Sequence, residues 1–73
     1  MPIIDMVATG ANIKKMRIAA GMTIADITDA CGITAGAVCK WQRGDAMPTI
    51  DNFIILAAIW HTKIDDIIIT AVN

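Results

Sequence analysis

The sequence lacks most of the side chains on which small enzymes rely. It contains no serine and no tyrosine, and His61 is its single histidine. The acidic residues show no spacing that would bring two carboxylates together, and Asp65 and Asp66 have the position of helix-start residues. Nucleophilic and general acid–base catalysis need such groups within hydrogen-bond reach of each other. The sequence therefore predicts that this chain is not an enzyme.

Cysteine is scarce as well, with only Cys31 and Cys39 present. A disulfide framework is therefore not expected, and both thiols should be reduced. A metal ion would need both cysteines and His61 to converge, but the pattern places Cys31 in the core and Cys39 on the surface. We expect no metal and no cofactor. Cys39 could act as a redox-sensitive thiol, but an inert surface thiol is the favoured interpretation.

Long hydrophobic runs are absent too. The longest, from Phe53 to Trp60, is far shorter than the roughly 20 residues of a membrane-spanning helix, and no stretch resembles a signal peptide. We therefore expect a soluble cytoplasmic protein without a membrane partner. Its 73 residues, 56% of them hydrophobic, should fold as one domain, and a core of this size is small enough for us to expect a homodimer.

The formal net charge of -1 counts against a nucleic-acid partner, because domains that bind phosphates are usually basic. The charges are nevertheless unevenly distributed, with Asp51, Asp65 and Asp66 near the end of the chain. Five of the six basic residues lie in the first 43 positions: Lys14, Lys15, Arg17, Lys40 and Arg43. One face of the folded domain can therefore be positive.

Glycine and proline divide the chain into segments of about one short helix each, and no useful polar–apolar alternation occurs between them. The dividing residues are Gly10, Gly21, Gly32, Gly44 and Pro48. The pattern predicts an all-α fold with helices over about 11–20, 24–31, 35–43, 50–60 and 64–68. Thr23, Thr34 and Thr49 are the expected N-caps. Pro2, Ile3, Ile4 and the run 67–69 also favour strands, so the termini could pair with each other or across a dimer.

Residues 24–43 have the spacing of a helix-turn-helix motif. Gly32 is the ninth residue of this window and the small residue Thr28 is the fifth. The glycine permits the left-handed backbone of a tight turn, and apolar side chains lock the two helices together. Those apolar residues are Ile27, Cys31, Ile33, Val38 and Trp41. The window predicts a helix pair whose second member can project into the DNA major groove.

Further residues on both sides of this window resemble the Cro and phage-repressor (XRE) family over roughly residues 9–68. They are Gly10, Ile13, Met16, Arg17, Gly21, Gly44, Pro48, Leu56, Ala57, Asp65, Asp66 and Ile67. The resemblance implies a five-helix lambda-repressor-like domain and a sequence-specific transcriptional regulator, which we expect to be a repressor. It also divides the chain into an N-terminal arm (1–9), a DNA-binding domain (10–68) and a C-terminal tail (69–73).

By this resemblance the third helix is the recognition helix, and its base-facing residues are Ala35, Gly36, Cys39 and Lys40. Lys40 can donate to the O6 and N7 acceptors of guanine. Ala35 and Gly36 have no hydrogen-bonding side chains, so a thymine-methyl contact by Ala35, or DNA shape, would have to take the place of direct readout.

Phosphate contacts are expected from backbone amides at the starts of the second and fourth helices, where the helix dipole favours anions. Asp51, close to the second of these sites, opposes the binding of an anion there. The expected phosphate-binding residues are Thr23, Ile24, Arg43, Thr49, Asn52 and Lys14.

Two other residues have family counterparts. Arg17 resembles an arginine that pairs with an acid near the end of the recognition helix, but Gln42 occupies that place here. Arg17 either bonds to Gln42 or turns to the DNA, and the structural role is favoured. His61 occupies the place of a helix-ending glycine and is expected to form a left-handed cap.

One alternative stays open because fold does not determine function and the net charge is acidic. The motif could serve protein contact instead, as in an antirepressor or an antitoxin-like module that binds DNA weakly. The partners expected are therefore double-stranded DNA, a second copy of the chain and, under the alternative, another protein. Substitution of Lys40 and Arg43 discriminates between the two interpretations.

Overall fold

Residues 1–72, the part of the chain that the computed structural model describes, form five helices and one two-stranded sheet. The elements are β1 (Pro2–Ile4), α1 (Met6–Ala19), α2 (Ile24–Cys31), α3 (Ala35–Arg43), α4 (Ile50–Ile59), α5 (Ile64–Ile67) and β2 (Thr70–Val72). The predicted five-helix fold is confirmed, and so is the β tendency of the termini. Asn73, the last residue of the expected tail, lies outside the described residues.

The first helix begins at Met6, so the predicted start at residue 11 is wrong. Asp5 is its N-cap, and a carboxylate oxygen of Asp5 accepts from the Ala8 amide at 3.0 Å. Residues 6–9, expected in an N-terminal arm, form the first turn of this helix. Gly10 lies inside α1 instead of preceding it. Ala20 is the exposed C-cap of this helix.

The remaining helices start and end close to where local signals predict. The hydroxyl oxygens of Thr23, Thr34 and Thr49 each accept from the backbone amide three residues later, at 3.1–3.2 Å. Each bond satisfies an N–H that has no partner inside its helix. Gly32, Gly44 and His61 then end α2, α3 and the α4 region with left-handed φ angles of 66°, 79° and 52°. The expected cap role of His61 is thereby confirmed.

The helices pack around one apolar core. Its buried members among the described residues are Ile13, Ile27, Val38, Trp41, Phe53, Leu56, Ala57 and Ile67. They come from all five helices, so the helix-turn-helix pair α2–α3 is fixed to α1, α4 and α5 by the same core. At about 25 cal/mol per Å² of apolar surface removed from water, this burial is the main stabilising term of the domain.

Helix α1 crosses α3 at very short range. Gly10 is buried, and a Cβ atom there would overlap the backbone oxygen of Trp41 and lie 3.0 Å from the Gln42 oxygen and the Gly44 nitrogen. At Gly44 a Cβ atom would lie 2.7 Å from the Cα of Val7. The absence of side chains at these two positions therefore sets how closely the first helix approaches the end of α3.

The two termini pair with each other within the chain. Strands β1 and β2 are antiparallel, with Pro2 opposite Val72, Ile3 opposite Ala71 and Ile4 opposite Thr70. This arrangement confirms one of the two expectations for the β-prone ends, pairing of the termini with each other.

Arg17 forms a hydrogen bond with Gln42, one of the two alternatives expected from the sequence. Its Nε donates to the Gln42 side-chain oxygen at 3.0 Å, and one terminal nitrogen donates to the Met22 carbonyl at 2.9 Å. The favoured structural role of Arg17 is confirmed. The guanidinium thus joins α1 to α3 and to the turn before α2 without a counter-charge.

Replacing the neutral partner by an acid is expected to stabilise the domain. Gln42→Glu should raise the free energy of unfolding by about 1 kcal/mol, because it converts a hydrogen bond into a charge-assisted ion pair. Thermal unfolding followed by circular dichroism measures the gain, which should shrink in high salt. Introducing Gln42→Glu into an Arg17→Met background should abolish the gain, and an equal gain in that background would contradict the pairing.

Candidate nucleic-acid interface

Helices α2 and α3 form the helix-turn-helix pair. The Gly32 amide donates to the Thr28 carbonyl at 2.8 Å, and the chain turns there in a left-handed conformation. Ile27 and Val38 are completely buried, and half-buried Ile33 packs against the same core. Each helix is therefore held by one face, and the opposite face of α3 is left on the surface.

The outward face of α3 offers few hydrogen-bonding side chains. Ala35, Gly36 and Lys40 are exposed, and Cys39, expected on the surface, is half-buried. Lys40 is thus the only one of the four expected base-facing residues with a strong donor, and its ammonium group can donate three hydrogen bonds. The first turn of α3 can contribute only backbone approach and small apolar contacts.

The start of α2 differs from its expected phosphate-binding arrangement in one detail. The Thr23 amide donates to a carboxylate oxygen of Asp26 at 2.8 Å, and the Asp26 amide donates to the Thr23 hydroxyl. This reciprocal capping box occupies two of the amides. The amides of Ile24 and Ala25 have no partner inside the helix by the geometry of a helix start. Sequence reasoning missed the occupied Thr23 amide, although a threonine followed three residues later by an acid is the signal for it.

The start of α4 has a similar arrangement. The Asn52 amide donates to the Thr49 hydroxyl at 3.2 Å, so the free amides of the first turn are those of Ile50 and Asp51. Both threonine hydroxyls accept a bond in these caps and keep their own hydrogen to donate. At both helix starts the side chains of Thr23 and Thr49 are exposed. A phosphate oxygen can therefore reach a hydroxyl donor and free amides together.

Arg43 forms an ion pair that sequence reasoning missed. Its Nε lies 2.9 Å from a carboxylate oxygen of Asp45, and both side chains are about 60% exposed. Exposed pairs of this kind contribute only about 0–1 kcal/mol, so an incoming phosphate can compete for the guanidinium. Lys14 is exposed on α1, and no hydrogen bond or ion pair among residues 1–72 joins it to α2 or α3.

The two thiols differ in their surroundings. Burial raises the pKa of Cys31 above its ordinary value, because the thiolate would lose hydration next to the core. Cys39 lies on α3, and both cysteines are free. The described residues contain no group of three or more histidine, cysteine or acidic side chains placed to hold a metal ion.

Alkylation kinetics can test this difference. Because the raised pKa leaves less thiolate at neutral pH, Cys31 should react with iodoacetamide more slowly than an exposed free thiol. Rates measured at each site by mass spectrometry would show it. Cys39 should become protected when DNA is added, whereas the rate at Cys31 should stay the same. Unchanged labelling of Cys39 in saturated complexes would argue against a base-facing position.

No helix within residues 1–72 is both long enough and apolar enough to cross a lipid bilayer.

Comparison with known proteins also identifies a helix-turn-helix protein. The family model described as Helix-turn-helix, HTH_3, matches residues 13–67. The fold is similar to that of the restriction-modification controller protein C.AhdI from Aeromonas hydrophila, with a TM-score of 0.76 and 21% identity over 86% of this chain and 96% of that one. It is also similar to the clp gene regulator ClgR from C. glutamicum, with a TM-score of 0.72 and 18% identity over 84% and 79% of the two chains. No curated protein matches the sequence.

A helix-turn-helix pair with an exposed second helix, fixed on a five-helix core, defines the class of small DNA-binding regulators. Because the family model covers most of the chain, this protein belongs to the HTH_3 helix-turn-helix family of XRE-type DNA-binding transcriptional regulators. The family consists of regulators rather than enzymes.

Proposed function

We propose that this chain is a cytoplasmic repressor that binds a palindromic operator as a homodimer, with α3 in the major groove and without catalytic activity. The observation that carries the proposal is the exposed face of α3, which presents Lys40 on a helix whose other face is buried through Val38 and Trp41. An exposed donor on a helix that is held firmly by its other face suits base recognition. Occupation of an operator by such a small domain represses by obstruction.

Lys40 is the residue proposed to read sequence, by donating to the O6 and N7 atoms of a guanine. Ala35 and Gly36 allow the start of α3 to approach the base edges closely, and Ala35 can contact a thymine methyl group. Half-buried Cys39 adds a small apolar surface between them. With a single strong donor per recognition helix, specificity depends on two half-sites and on DNA shape.

The remaining contacts are proposed to position the protein on the phosphates. At the start of α2 these are the Thr23 hydroxyl and the Ile24 amide. At the start of α4 they are the Thr49 hydroxyl and the neighbouring amides, with the Asn52 side chain beside them. Arg43 would exchange Asp45 for a phosphate oxygen, and Lys14 adds a longer-range cationic contribution.

A second candidate function is supported by the acidic groups around this surface. Asp45 neutralises Arg43, Asp26 occupies the start of α2, and Asp51 is exposed in the first turn of α4. A surface of mixed charge suits a protein partner better than a polyanion. An antirepressor or antitoxin-like module with weak DNA binding would use the same helix pair to contact that partner.

Selection from a random duplex pool tests the two functions directly. At about 150 mM salt, where weak non-specific binding is suppressed, the wild-type chain should enrich one palindromic motif. Lys40→Ala, run in parallel, should lose that enrichment. Failure of the wild-type chain to enrich any sequence would contradict the proposed repressor function and favour the protein-binding alternative.

A further inference from the structure

A basic and an acidic side chain are paired at the end of α3. Arg43 is the last residue of that helix, and its Nε donates to a carboxylate oxygen of Asp45 at 2.9 Å. The two side chains are 61% and 60% exposed. Arg43 is also among the residues proposed to contact a DNA phosphate. In the free protein, therefore, one of the proposed phosphate donors already binds an anionic oxygen.

The turn after α3 fixes the position of Asp45. The Gly44 amide donates to the Trp41 carbonyl at 3.0 Å, and the Asp45 amide donates to the Lys40 carbonyl at 2.9 Å. These two bonds are the pair that defines a Schellman motif at the end of a helix. Three residues later Pro48 is buried, so the segment is also held on its far side. The carboxylate therefore lies beside the guanidinium without the ordering of a loop.

This ion pair adds little to the stability of the domain. An exposed pair gains little free energy, because water solvates the separated charges almost as well. A negative charge at the C-terminal end of a helix is also opposed by the helix dipole. For the folded chain these two effects are small and opposite in sign. For an incoming anion, by contrast, the effects of Asp45 act in one direction, because its carboxylate occupies a donor and also repels the anion.

We propose that Asp45 is an intramolecular competitor of DNA phosphate, which occupies Arg43 in the free protein and lowers the affinity of the α3 surface for DNA of any sequence. The inference rests on the proposed function and identifies a residue that limits its phosphate contacts. A phosphate that takes the Nε–H of Arg43 must displace the carboxylate. A phosphate that uses the other guanidinium donors stays close to a like charge. Because the competition concerns phosphate and not base edges, Asp45 leaves base preference unchanged.

Asp45→Asn tests the proposal, because it removes the charge and keeps the shape of the side chain. In fluorescence anisotropy titrations this variant should bind the selected operator about three- to tenfold more tightly than the wild type. A scrambled duplex should gain by the same factor, and the slope of log affinity against log salt should become steeper by about one. Asp65→Asn is the charge-matched control, since Asp65 is exposed on α5, which packs mainly against α4 and α1. Operator affinities of the two variants that agree within about twofold would overturn the proposal.

Two further measurements separate competition for Arg43 from a structural role and from a general effect of charge. The melting temperature of Asp45→Asn should lie within about 2 °C of that of the wild type, whereas a structural role would lower it and leave affinity unchanged. In an Arg43→Gln background, Asp45→Asn should raise operator affinity by no more than about twofold, because no guanidinium is left to release. The full gain in that background would contradict the competition.

Inorganic phosphate provides a readout that does not depend on DNA binding. In NMR titrations at about pH 6, the Nε–H signal of Arg43, assigned by its loss in Arg43→Gln, should respond to phosphate at about threefold lower concentration in Asp45→Asn than in Asp65→Asn. If this difference is found but the wild-type chain enriches no operator, the competition stands and the proposed function fails. If an operator is enriched but the two variants respond alike to phosphate and to DNA, the inference fails alone.

Discussion

Gly10→Ala is expected to lower the free energy of unfolding by about 3 kcal/mol, through overpacking at the crossing of α1 and α3. The new methyl group would overlap the Trp41 carbonyl and come within 3.0 Å of two further backbone atoms. Backbone atoms cannot rotate aside as a flexible side chain can, so the two helices must separate. In a domain of this size, with a total stability near the low end of about 5–15 kcal/mol, that loss removes about half of the stability and raises the unfolded population about a hundredfold.

The same substitution at Gly36 is a matched control. A Cβ atom there would meet only the Thr34 hydroxyl, at an ordinary 3.8 Å. Gly36→Ala should therefore stabilise the protein by about 0.5–1 kcal/mol, because alanine favours the helix. Urea unfolding monitored by tryptophan fluorescence, together with thermal melts, measures both variants. If Gly10→Ala and Gly36→Ala were equally stable, the close crossing of α1 and α3 would not limit the stability of the fold.

Lys40→Ala is expected to reduce affinity for the selected operator by about 10- to 100-fold, equivalent to about 1–3 kcal/mol. The side chain is exposed, so its removal should leave the melting temperature nearly unchanged. If Lys40 reads a guanine, the variant should lose preference at that one base pair. If it contacts a phosphate, binding should weaken on all sequences alike, and the slope of log affinity against log salt should fall by about one.

Lys63→Ala provides the charge-matched control. Lys63 is exposed at the start of α5, and its substitution removes the same unit of charge. Fluorescence anisotropy titrations on specific and scrambled duplexes, at several salt concentrations, separate the possibilities. A Lys40→Ala affinity within about twofold of that of Lys63→Ala would remove the recognition helix from the proposed interface.

Most helix ends in this chain were predictable because they depend on neighbours within four residues. Thr23, Thr34 and Thr49 cap their helices through the amide three positions later, and Gly32 and Gly44 end helices through their own backbone freedom. The start of α1 was not predictable in the same way. Gly10 is a glycine like those that end helices, but it lies inside α1, where the backbone at the end of α3 passes against it.

In the candidate site, too, some features were predictable from the sequence and others were not. The position of α3 and the residues on its outward face follow from the spacing of Gly32, Val38 and Trp41, and its role as a recognition helix is what the family resemblance implies. The partners of the charged residues of α3 do not follow from this spacing. Asp45 was visible two residues after Arg43, but whether an exposed arginine bonds to it or stays free depends on the local path of the chain. The half-burial of Cys39 likewise depends on neighbouring side chains rather than on helical periodicity.

The sequence by itself determined the class of this protein, because a helix-turn-helix pair is specified by residues close together in the chain. Only the tertiary structure decided how the termini are arranged. Thr9 and Ile69 meet across 60 residues, and the β-prone ends pair within one chain and leave the edge of β2 open. The sequence pattern allowed pairing within a chain or across a dimer, because strand propensity does not specify a partner. The pairing of β2 with β1 of the same chain depends on the packing that brings α1 and α5 together.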